Sequence, residues 1–209
     1  MNLTRVPEKR IYFEGRKYRL HLAFDNVLRT FDVLREPLFT PVQRLQLAVE
    51  LLAGRSAGRL PMDKLEALFT RITDEFINEG AKPQRSKEPR ALDFNQDAPL
   101  IYAAFRQAYG LDLTKQRGRL DWRHFIALFQ GLPDDTKIRE VIDIRKRDLP
   151  EPTPHNGKQI AKLMELKAYY AIQLGEDEAK QGWYSDSARF AEGLIGLAQK
   201  RGVSGVGRR

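Results

Sequence analysis

A chain of 209 residues, 42% hydrophobic and 31% charged, is long enough to bury a helical core and too apolar for wholesale disorder. It has no cysteine, which removes disulfides, thiolate metal sites and cysteine nucleophiles and fits a reducing compartment. Met1 to Arg10 is too polar for a signal core, and no apolar run approaches the roughly 18 residues a membrane span needs. Neither export nor membrane insertion is therefore expected.

The first punctuated unit is a β-hairpin, with Ile11-Tyr12-Phe13 and Tyr18-Arg19-Leu20-His21-Leu22 flanking Glu14-Gly15-Arg16-Lys17. Gly15 supplies the positive φ of a tight turn, and the second run alternates apolar and basic side chains as a half-buried strand does. Helices must support it. Val27, Leu28, Phe31 and Leu34 recur at helical spacing between Asp25 and Glu36, and Pro37 stops that run. Thr40-Pro41 opens a second helix, an N-cap hydroxyl followed by proline where its missing N–H is harmless, reaching about Ala53 with Leu45, Ala48, Val49 and Leu52 on one face. A third begins at Asp63, carries Leu65, Leu68, Phe69, Ile72 and Phe76, and closes at Gly80.

Lys82 to Arg90, with two prolines and no large apolar side chain, reads as a linker. Beyond it, Asp97 caps a helix bearing Ile101, Phe105, Ala108 and Tyr109, which ends at Gly110. Asp121 caps another, with Trp122, Phe125, Ile126 and Phe129 at i, i+3, i+4 and i+7, ended by Gly131 and Pro133. Asp135 to Arg147 presents Ile138, Val141 and Ile142. After a second proline-rich linker, a helix from Lys158 to Leu174 turns Ile160, Leu163, Met164 and Tyr170 inward. Trp183, Phe190, Leu194 and Leu197 mark a weaker helical run, and Gly202 to Arg209 reads as a disordered basic tail. The expected fold is mainly α, a helical bundle with a short N-terminal β-hairpin. Its parts are 1–81 (hairpin plus helices), 82–90 (linker), 91–150 (central helical unit) and 151–209 (C-terminal helices and tail).

Sites for chemistry are scarce. Asp93, Asn95 and Asp97 imitate the opening of a calcium loop, but the sixth position is Ala98 rather than glycine and the twelfth is Ala104 rather than glutamate. Polar turn residues plus a helix cap explain them more simply. His21, His124 and His155 share no metal-binding spacing, no phosphate-binding glycine loop exists, and Asp134-Asp135 reads as a helix start. No catalytic residue, metal or cofactor is expected. The net charge of +8 raises nucleic acid, a membrane surface or an acidic protein as partners. The clusters at Arg16, Lys17 and Arg19, at Lys82 to Arg90, at Arg145 to Arg147 and at Arg208-Arg209 lack, beyond Tyr18, the aromatic interleaving that stacks bases, so each reads as a solvated face.

The blocks Leu92 to Phe105, Tyr109 to Leu113, Leu120 to Leu132 and Ile144 to Arg147 resemble, in order and spacing, the bacteriophage family filed as gene product fifteen. The hairpin, with Gly15 before Tyr18, is similar to that family's opening, so the likeness covers most of residues 10 to 150 and extends toward Leu174. Members come from siphophages and prophages, with the gene between those for the major tail protein and the tape measure protein. The resemblance implies tail assembly, as a chaperone coating the tape measure protein and recruiting tail-tube subunits in the host bacterial cytoplasm. It brings no site residues. Ile101, Phe105, Tyr109, Trp122, Phe125 and Phe129 are the candidates for an interaction surface or the core scaffold beneath one, and a homo-oligomer fits either role. The readings held against it are a basic nucleic-acid-binding protein and a structural component of the virion tail; a membrane partner is not expected.

Overall fold

The computed structural model describes residues 8–78 and 91–173. The expected linker at 82–90, the closing Gly80, the run through Trp183 and Leu197 and the basic tail lie outside the described residues. The described chain forms two compact units, one holding 8–78 with 114–127 and the other 91–113 with 128–173. It is mainly α, with one antiparallel hairpin.

In the first unit, β1 (Arg10–Phe13) and β2 (Arg16–Arg19) pair with Ile11 opposite Tyr18. Both turn residues have positive φ, 49° at Glu14 and 70° at Gly15. This is the mirror-image turn that matches strand twist; glycine adopts it freely, while glutamate carries strain there. The Glu14 carboxylate is held by Lys64 at 2.8 Å, and that hydrogen bond raises the Lys64 pKa.

A hairpin alone is marginally stable, so its buried face of Ile11, Tyr18, Leu20 and Leu22 must be covered. Backbone hydrogen bonds tie the chain after it to distant segments: His21 N–H donates to Leu52, Phe24 N–H to Leu120, and Trp122 N–H to Leu22 at 2.7 Å. α1 (Phe24–Arg35) buries Val27, Phe31 and Leu34 and packs on α2 (Pro41–Ala53). Asn26 Nδ2 donates to His21 and Leu51 carbonyls, both at 2.8 Å, fixing the start of α1 to the end of α2. Thr40 caps α2 as expected, and Gln43 completes a reciprocal capping box. α3 (Met62–Ile72) starts one residue before Asp63 and widens into a π-turn over Thr73–Ile77 that buries Phe76 and Ile77. Between α2 and α3, Gly58 lies so close to α2 that an added Cβ would sit 3.0 Å from Glu50 Cβ.

In the second unit, α4 (Ala98–Tyr109) and α6 (Lys137–Lys146) pack together, and α7 (Gly157–Tyr169) lies on α6. α5 (Trp122–Gln130) gives its first residues to one unit and Leu128 to Gln130 to the other. Arg139 reaches the end of α5 and the turn after it, donating to Gln130 O at 2.6 Å, where a helix end leaves acceptors unpaired, and to Leu132 O at 3.3 Å. α7 departs from expectation. It ends at Tyr169, none of its residues is buried, Ile160, Leu163 and Tyr170 are only half-buried, and Met164 is 54% exposed. Its apolar positions are too few and too interrupted by lysine to make a core stripe.

Candidate functional site

Five of the six residues singled out from the α4 and α5 stripes are buried. In the first unit, Trp122 is fully buried, its ring 5.6 Å from Phe125 and edge-on to Phe31 at 5.8 Å, and Phe125 stacks on Phe24 at 5.0 Å. Trp122 Nε1–H donates to Ile77 O at 3.2 Å, so the π-turn exposes its last carbonyl to the one polar atom the indole carries. Asp121 stands before α5 as its cap, accepting from Arg123 N–H at 3.1 Å, and pairs with Lys9 at 3.7 Å. In the second unit, Ile101, Phe105 and Phe129 are buried, with Phe94 6.1 Å from Phe129. Tyr109 alone among the six is substantially accessible, at 38%. Its hydroxyl donates to Leu128 O at 2.8 Å, and partial burial pushes its pKa above the usual 10.0.

The residues that imitate a calcium loop are otherwise engaged. Asp97 stands at the N-cap position of α4, yet its carboxylate makes no cap hydrogen bond there. Instead it accepts both guanidinium nitrogens of Arg145, at 2.6 and 2.8 Å, and the Asp93 N–H at 2.9 Å. Asp93 Oδ1 accepts from Asn95 and Gln96 N–H, a local turn that satisfies the loop backbone. Arg145 also donates to Ala91 O at 3.0 Å and Tyr170 O at 2.6 Å, and its own carbonyl accepts from Lys167. One half-buried arginine thus fastens the loop before α4, α6 and the end of α7 through charge-assisted hydrogen bonds. A cation at Asp97 would have to displace that guanidinium. Among the described residues, no group of three or more metal-ligating side chains lies together.

What the second unit presents to its surroundings is apolar at particular points. Tyr102, one heptad before Tyr109 on α4, is 36% exposed, with Arg106 between them along the same side of the helix. Tyr169 on α7 is 79% exposed, and Met164, five residues before it, is 54% exposed. Sequence periodicity marks out neither Tyr102 nor Tyr169, because isolated tyrosines outside a stripe carry no periodic signal. Among the described residues no helix is long and apolar enough to cross a membrane.

A mainly helical protein whose described residues are bound together by aromatic and arginine contacts offers partners its outward side chains. Comparison with family models adds the lineage: the model described as Bacteriophage Gp15 protein matches residues 5–172, and the chain belongs to that family. The match begins and ends close to where the resemblance of the blocks placed it. Membership makes this a bacteriophage protein and points to a structural or morphogenetic part in building the particle. No curated protein and no solved structure matches the chain.

Proposed function

We propose that the protein is a tail-assembly chaperone, acting without chemistry of its own on the tape measure and tail-tube proteins in the infected cell. The family membership carries this reading, and the accessible tyrosines and methionine of α4 and α7 give it a physical basis. A long amphipathic client helix needs its apolar face covered until the tube forms around it, and outward aromatic side chains cover apolar surface at small entropic cost. Aromatic and methionine side chains are also enriched where proteins meet.

The test is co-expression with the tape measure protein encoded in the same phage, followed by affinity capture and size exclusion at low and high salt. A soluble complex that persists in high salt supports the proposal, since apolar contacts are not screened. A tape measure protein that stays insoluble and uncaptured in its presence contradicts it. Mass spectrometry of purified virions separates a chaperone, absent from the particle, from a structural tail component.

A further inference from the structure

Strand alternation places Arg10, Tyr12, Lys17 and Arg19 on the face of the hairpin opposite the buried Ile11 and Tyr18. Leu20 N–H donates to Lys9 O at 2.7 Å, which makes that pair a hydrogen-bonded one. Arg10 with Arg19, and Tyr12 with Lys17, are then non-hydrogen-bonded pairs, the kind whose facing side chains approach most closely. Like charges in that position destabilise a hairpin. Three other cations of this unit have a carboxylate partner: Lys9 has Asp121, Lys64 has Glu14 and Arg71 has Glu75. Among the described residues, no carboxylate lies within ion-pair distance of Arg10, Lys17 or Arg19.

At the centre of these cations stands Tyr12, 65% exposed. Its backbone carbonyl is held by Arg71 at 2.9 Å, and the Lys17 ammonium lies 5.3 Å from the ring centroid. The aromatic inside the basic run Arg16 to Arg19, Tyr18, turns to the buried face; pairing across the turn supplies an exposed one, Tyr12, from the other strand.

We propose that this face binds single-stranded nucleic acid, with phosphates against Arg10, Lys17 and Arg19 and a base stacked on Tyr12. A surface joining such cations to an exposed ring suits single strands, because the cations follow the backbone and any base can stack. An acidic protein segment would use the cations and leave the ring without a role. The proposal is independent of the chaperone reading.

Fluorescence anisotropy of the full chain with a labelled oligothymidylate of about 15 nucleotides, across a salt series, tests it. Arg10→Ala with Arg19→Ala should weaken binding at least tenfold and flatten the log–log salt dependence by about 1.4, two lost contacts at about 0.7 each. The same double variant should unfold at an equal or higher denaturant midpoint, because it relieves repulsion. Tyr12→Ala should weaken binding about tenfold with the salt slope unchanged, and Tyr12→Phe should bind as the parent does. No binding by the parent chain overturns the proposal, as does binding indifferent to all these variants, which would assign it to other basic segments. Displacement by polyglutamate at equal charge concentration, with Tyr12→Ala indifferent, also overturns it, in favour of an acidic protein partner.

Discussion

The two units hold themselves together differently. In the first, Phe24, Phe31, Trp122 and Phe125 form a continuous aromatic cluster, and the segment 120–122 is laced by backbone hydrogen bonds to Leu22 and Phe24. In the second, Arg145 gathers a loop, a helix and a helix end through hydrogen bonds to one carboxylate and two carbonyls. Aromatic burial is non-directional and tolerates small shifts, whereas a guanidinium forked on a buried carboxylate specifies one arrangement and is costly to remove.

Removing the keystone of each unit gives the largest effects. Trp122→Ala should destabilise the protein by about 3 to 5 kcal/mol, because it empties a fully enclosed volume and orphans the Ile77 carbonyl. A denaturant midpoint within error of the parent would place the tryptophan outside the core. Arg145→Met should cost about 3 kcal/mol or more by leaving Asp97 buried without its counter-charge. Combining it with Asp97→Leu should recover much of that loss, a non-additivity that a double-mutant cycle reads directly. Trp122→Ala should show no such rescue by an Arg145 or Asp97 change.

Smaller changes sharpen the contrast. The Tyr18 hydroxyl is buried with no hydrogen-bond partner among the described residues, so Tyr18→Phe should raise stability by up to about 1 kcal/mol; a loss would reveal a partner for that hydroxyl. The smallest effect concerns pH. Burial raises the Tyr109 pKa, and hydrogen bonds to Glu14 and to Glu140 raise those of Lys64 and Lys137. Each group has a folded pKa above its unfolded one, so its contribution is present below pH 10 and lost as pH climbs past it. Thermal melts between pH 8 and 11 should show this decline, with Tyr109→Phe removing part of it.

Periodicity made the first unit's core readable. Trp122, Phe125 and Ile126 announce a buried face at i, i+3 and i+4, and Thr40-Pro41 announces a helix start, because both signals are local. Arg145 was unreadable for the opposite reason: within Ile144 to Arg147 it looks like any solvent-facing cation, and only tertiary placement brings it to Asp97, 48 residues earlier. The same holds for Asp97, whose position marks a cap while its carboxylate serves another helix. Completion of the first unit by 114–127 is likewise carried by backbone pairing that no side-chain pattern records. Outward residues such as Tyr102 and Tyr12 were illegible because exposure in one strand or helix depends on what covers its neighbours.

In the proposed function, clients are held by outward side chains of α4 and α7. The most direct measurement is capture of the co-expressed tape measure protein by a Tyr102→Glu, Met164→Glu variant whose folding is verified by an unchanged unfolding midpoint. The expected result is a folded protein that no longer keeps its client soluble. Full capture by that variant would contradict it.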